Sequence, residues 1–211
     1  MLFERGDLSV NAASYLMKLL YGSRISWPWI LVAIQRLTQC LDTPKATRWS
    51  ADCDRRLVRI YSFIDSHLDD VIAGSLSEKD ADTCELWFWP DADLAGDPLT
   101  TTSTNGMFLE IVGGINNDFT AAERSVPVSW GCKKTTGTAL HTQEAEICSI
   151  GNYLKSEAIP AQLLLSLALG RPVTLRIKED NDAAIVAAKK GYSPSLRSRR
   201  LTLASSMNAS T

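Results

Sequence analysis

Three short stretches carry acidic side chains where a backbone can hold them still: Trp89-Pro-Asp-Ala-Asp93, Gln143-Glu-Ala-Glu146 and Lys178-Glu-Asp-Asn-Asp182. Carboxylates brought from separate elements are what two-metal phosphodiester hydrolysis needs. They clamp divalent ions about 3.5–4 Å apart, so that one ion activates water and the other stabilises the leaving oxygen. Magnesium takes hard oxygen ligands and keeps several waters, so three or four carboxylates suffice. The spacing puts Asp91 just past a strand, Glu146 on a helix, and Asp180 at the end of another strand beside a helix N-terminus that favours anions. Asp93 could support Asp91, whereas Glu144 lies roughly opposite Glu146 around its helix. Each acid also has a structural alternative. Asp91 would serve as a turn residue after Pro90, Glu146 as a solvated helix residue, and Asp180 or Asp182 as an N-cap. Taken jointly, in this order on these elements, the acids favour the metal reading.

The elements that must position these acids follow from pattern. The first 70 residues read as three amphipathic helices. Residues 9–22 carry a stripe of Tyr15, Leu16, Leu19 and Leu20, with Ser9 or Asn11 as cap and Gly22 as stop. Residues 27–41 have Pro28 early, where its missing N–H costs little, and bury Ile30, Leu31, Ile34 and Leu37 or Leu41. A third helix is expected from Thr43 and Pro44 to about His67. Three such helices bury little surface by themselves, so the unit is expected to dock on something else.

The character changes near Ala73-Gly74-Ser75. Cys84 to Trp89 is a compact apolar and aromatic run, hence a buried strand. Asn105 to Gly113 and Val126 to Trp130 read as two more, with a turn at 95–98 and a loop through Lys133, Lys134 and Gly137. These predict an antiparallel meander. From His141 the period becomes helical to about Ser156. Pro160 opens another helix to Leu169, stopped by Gly170. Pro172 to Ile177 predicts a strand ending at Asp180, and Asn181 or Asp182 caps a last helix to Gly191. The order is mixed α/β.

Composition sets bounds. The chain has 211 residues, 45% hydrophobic and 22% charged, which suits one full domain plus a smaller appendage. No apolar run approaches the roughly 20 residues of a membrane span. The start has no basic segment followed by an apolar one, so no signal peptide is expected. Five cysteines without a Cys-x-x-Cys spacing read as reduced thiols, which suits a cytoplasmic or nuclear location. With only His67 and His141 available, a zinc centre is disfavoured. No phosphate-loop or dinucleotide motif is present. The formal charge of −2 counts mildly against nucleic-acid binding. Its distribution counts the other way, because Lys189, Lys190, Arg197, Arg199 and Arg200 follow the acidic stretch and face only Asp182.

The residues themselves carry more. Asp91-Ala-Asp-Leu-Ala-Gly-Asp97 followed by Ser103-Thr-Asn-Gly106 resembles the Asp-Ala-Asp-Trp-Ala-Gly … Ser-Thr-Ser-Gly stretch of copia-type retrotransposon ribonuclease H domains. Pro127 to Lys134 is similar to that family's Ile-Ser-Trp-x-Ser-Lys-Lys strand. Thr138 to Glu146 is similar to its Thr-Val-Ala-Leu-Ser-Ser-Thr-Glu-Ala-Glu segment, and Glu179 to Ile185 to its Cys-Asp-Asn-Gln-Ser-Ala-Ile. Upstream, Ala13-Ser-Tyr-Leu, Leu20-Tyr21, Pro44 to Trp49 and Arg56 to Tyr61 resemble the connection between reverse transcriptase and ribonuclease H.

The resemblance implies a ribonuclease H-like mixed sheet, in which a three-strand antiparallel meander is joined by a parallel strand and flanked by helices. It implies that Asp91, Glu146 and Asp180 hold two Mg2+ or Mn2+ ions. The reaction implied is hydrolysis of the RNA strand in RNA–DNA hybrids. More weakly, it places Ser103 and Asn181 near the substrate backbone. The implied organisation is a helical connection over 1–75, the ribonuclease H-like domain over 76–197 and a disordered tail over 198–211. The implied partners are the hybrid and the palm and fingers of the same polyprotein, with no membrane. The family also has a fourth carboxylate well downstream of the third, and no Asp or Glu follows Asp182 here. The expectation is a C-terminally truncated fold from a polyprotein fragment, with low or no cleavage. The alternative is a non-catalytic relic that folds and binds nucleic acid or a partner chain.

Overall fold

The computed structural model describes residues 6–41, 49–94, 103–113, 124–135, 139 and 141–190. Contacts divide the chain into two units, Met1–Ile72 and Ala73–Thr211.

The first unit holds three helices, α1 (Ala12–Ile25), α2 (Leu31–Thr38) and α3 (Ala51–Asp65). Their buried faces repeat at helical spacing, with Leu16, Ile34 and Leu57 all but inaccessible. Gly22 does not stop α1, which runs one further turn to Ile25. Glycine is needed there for another reason: a Cβ would lie 2.5 Å from the ring of Trp27. The second helix is shorter than its pattern suggests, because Pro28–Ile30 forms a tight 3-10 turn before α2 begins. The expected start of the third helix at Thr43 and Pro44 lies outside the described residues. Before α3, Trp49 is buried and donates its indole N–H to Asp54 Oδ1 at 2.6 Å. Asp54 Oδ2 accepts the Leu8 N–H at 3.3 Å, which fastens the N-terminal turn to α3.

The second unit is a four-stranded sheet in the order β3-β2-β1-β4. β1 (Glu85–Asp93), β2 (Thr104–Val112) and β3 (Ser125–Lys134) form the antiparallel meander, and β4 (Leu175–Ile177) joins β1 in parallel. Two strands run further than expected. Lys133 and Lys134 belong to β3 instead of a loop, because Asn105 and Thr104 pair with them. β1 continues through Pro90 to Asp93, each residue paired to β2.

Proline is tolerated inside β1 for a legible reason. The Leu86 N–H donates to Thr174 and the Phe88 carbonyl accepts from Lys178, so even-numbered residues of β1 bond toward β4. β4 has ended by the level of Pro90, so the missing N–H removes no ladder bond.

α4 (Thr142–Tyr153) and α5 (Ile159–Leu169) lie over the sheet. They are one continuous rod, not two helices, joined by a π-helical turn over Leu154–Ala158. A wider turn just before Pro160 is the local departure that lets a helix axis pass a residue lacking an N–H. Leu86, Phe88, Met107 and Leu109 pack against Ile150 and Tyr153, forming the core. Gly170 ends α5 in the left-handed region at φ 65°. α6 (Asp182–Lys190) packs Ala184 and Ala187 on Ile147 of α4. The turn at 95–98, Gly137, Gly191 and the expected tail at 198–211 lie outside the described residues. Among those described, no helix is long and apolar enough to cross a membrane.

Candidate metal centre

The three acidic stretches meet around the open end of β1. Asp91 lies inside β1, not beyond it, opposite Gly106 of β2. Asp180 lies three residues past the end of β4, which is shorter than its β-branched run suggests. Only Leu175–Ile177 pair with Leu86–Phe88, and one more bond, from the Lys178 N–H to the Phe88 carbonyl at 2.8 Å, carries the chain onward. Beyond it residues 179–181 form a loop that opens into α6.

Several contacts fix these mounts. Glu85 takes Arg176 across the β1–β4 pair, with Nη2 at 2.7 Å from Oε1 and Nε on the other oxygen. Lys178 lays its ammonium 3.6 Å from the centre of the Trp87 ring. On the helix side, Ser149 is fully buried and donates its hydroxyl to the Asp91 carbonyl at 2.9 Å. Gln143 donates to the Ala183 carbonyl at 2.8 Å and ties α4 to α6.

Oxygens of Glu146, Glu179 and Asp180 lie within 4.8 Å of one another. Glu146 is 4% exposed, Glu179 is half-buried and Asp180 is exposed. One carboxylate oxygen of Glu146 and one of Glu179 are buried with no hydrogen-bond partner. Burial, then the charges of Glu179, Asp91 and Asp180, push the Glu146 carboxyl up to about 7, against a smaller opposing effect of the Ala92 N–H. Glu179 is also raised, by burial first and then by Asp180 and Asp91, although the Asn181 N–H donates to its Oε1 at 3.2 Å. Carboxylates with orphaned buried oxygens packed this closely are costly to ionise unless a cation joins them. The donor set is all hard oxygen, which fits magnesium or manganese.

Of the three acids read from the sequence, Glu146 and Asp180 belong to this tight group. Asp91 stands outside it, but near enough for its charge to raise both glutamates. Glu179 was not among the residues singled out. The two weaker positions have evident local work. Ser103 is buried, and its carbonyl accepts the Thr135 N–H at 2.9 Å. Asn181 Oδ1 accepts the Ala183 and Ala184 N–H groups at 3.0 and 3.1 Å, capping α6.

Part of the chain is similar to the retrovirus-related Pol polyprotein from transposon RE2 of Arabidopsis thaliana, at 29% identity over 125 residues. The aligned region covers 59% of this chain and 7% of that polyprotein. No family model matches, and no solved structure matches.

Proposed function

We propose that the second unit is a ribonuclease H-type domain of a retroelement polyprotein, hydrolysing the RNA strand of RNA–DNA hybrids with divalent metal. The observation that carries this reading is the convergence of Glu146, Glu179 and Asp180 within 4.8 Å, with orphaned buried oxygens on both glutamates. The mixed sheet with its meander and parallel strand supports it, as does the similarity to a retrotransposon Pol polyprotein. On this reading the copia-type resemblance extends to the first unit, as the connection to the polymerase.

Glu146, Asp180 and Asp91 are the residues that would hold Mg2+ or Mn2+. Bound ions would supply a more acidic water and charge stabilisation at the leaving oxygen. The protein divides the remaining work by depth. Glu146, anchored through α4, backs the site and keeps water from its rear. Asp91 and Asp180 are exposed and meet the phosphodiester from the solvent side. Glu146 must give up its proton to serve, so its role strengthens as pH rises through about 7.

A second reading, binding of the hybrid without cutting, is favoured by Asp91 standing outside the tight group. One assay separates the two. Labelled RNA–DNA hybrid is incubated with the full chain and Mg2+ or Mn2+, beside Asp91→Asn and Asp180→Asn. RNA-strand nicks that both variants lose support hydrolysis. A gel shift without nicks supports the second reading. Nicks that survive Asp91→Asn overturn the assignment of the site, and neither nicks nor a shift overturns both readings.

A further inference from the structure

We infer that Glu179 is itself a ligand of the divalent cation, forming with Glu146 and Asp180 a three-carboxylate seat. This rests on the metal-dependent reading of the same centre but adds a residue to it. Three observations point there independently of motif. Glu179 contributes an oxygen to the only group of three or more acidic, Cys or His side chains among the described residues whose donor atoms gather closely enough to share an ion. One of its carboxylate oxygens is buried without a partner, as is one on Glu146, a residue itself 4% exposed. Its other oxygen is engaged, since Oε1 accepts the Asn181 N–H at 3.2 Å and so fixes the carboxylate plane.

Loop geometry makes the arrangement possible. Neighbouring residues of a strand point to opposite faces. β4 ends at Ile177, so Glu179 and Asp180 are freed from that alternation, and both reach Glu146. A purely local role, bracing the turn through Asn181, would leave the second oxygen in water or on a donor. Here it is buried beside two other acids, where each unneutralised charge raises the cost of the next.

The test is Mn2+ binding by the full chain, followed by calorimetry and by the electron paramagnetic resonance of free Mn2+. Glu179→Gln keeps an oxygen for the Asn181 N–H and removes only the charge. Loss of even an outer-shell partner typically weakens metal affinity about 10–100-fold, so this variant should lose at least about tenfold. Asp182→Asn, an acid three residues away and outside the group, should bind as the wild type does. In the wild-type protein, substoichiometric Mn2+ should broaden the side-chain carboxyl 13C signal of Glu179 together with those of Glu146 and Asp180. That measurement stands even if the glutamine variant folds poorly.

Equal affinity in wild type and Glu179→Gln, or a sharp Glu179 signal beside two broadened ones, overturns the inference and leaves the hydrolysis proposal standing. Failure of the wild type to bind millimolar Mn2+ overturns the inference outright. Weakened binding in the variant with no cleavage of hybrid supports the ligand while sinking the hydrolysis.

Discussion

Glu146 is the residue whose chemistry depends most on its surroundings. In an unfolded chain it ionises near its ordinary 4.5, whereas in the folded protein its carboxyl is pushed up to about 7 by burial and the acids around it. Between those values the folded state holds the extra proton, so stability falls as pH rises. The benefit of a protonated Glu146 is complete below 4.5 and is lost as pH passes through about 7. Glu146→Gln mimics the protonated form and keeps an acceptor for Ala92. In chelator at pH 8 it should melt higher by about 2–4 °C, the shift expected for a gain of about 1 kcal/mol in a protein of this size. Its melting temperature should also be flatter than the wild type's between pH 5 and 8. An unchanged pH slope would show that Glu146 does not titrate there. The sequence made Glu146 legible because the whole Thr-Gln-Glu-Ala-Glu segment resembles a known motif. It hid Glu179 for two reasons. The resembled motif has cysteine at that place, and a strand running to Asp180 would have pointed Glu179 away from it. Only the early end of β4 brings both side chains to Glu146.

At the scale of elements, the site is aimed by how α4 grips β1. Ser149 donates to the Asp91 carbonyl at 2.9 Å and lies 3.4 Å from that of Gly106, so one buried hydroxyl spans the two strands just where Asp91 is mounted. One turn on, Tyr153 donates to the Asn105 carbonyl at 3.2 Å. Removing the Ser149 hydroxyl leaves buried carbonyl capacity unmet, a loss of about 1–2 kcal/mol. Ser149→Ala should lower the urea midpoint accordingly without changing the denaturant slope. A loss under about 0.5 kcal/mol would mean that this hydroxyl does not hold the helix to the strand. The meander, the parallel strand and the helix order were legible because strand and helix periods differ so plainly in this chain. The ends were not. Pro90 looked like a stop, yet its nitrogen faces an edge that β4 has already left. Pro160 looked like a start, yet a π turn carries the helix through it. Both depend on where the neighbouring chain runs, which local pattern does not encode.

For the molecule as a whole, the question is whether the acidic centre needs the helical unit. The two larger buried clusters share no residue. One is built from α1, α2 and α3 around Leu16, Ile34 and Leu57, the other from the sheet and the α4–α5 rod around Phe88, Leu109 and Tyr153. Besides burial, the charges and the backbone N–H that act on Glu146 come from β1 and the loop after β4. Stability of the first unit and metal affinity of the second should therefore vary separately. Leu57→Ala removes a side chain that is 1% exposed. Such truncations cost about 2–5 kcal/mol. Calorimetric melting should resolve two transitions, with the variant lowering one and leaving the other in place. Mn2+ affinity should stay within about twofold of the wild type, the tolerance expected of independent sites. A single transition that falls as one, or Mn2+ affinity that falls with it, would show that the helices support the acidic centre. In that case Mn2+ binding by residues 73–211 alone would fall short of that by the full chain.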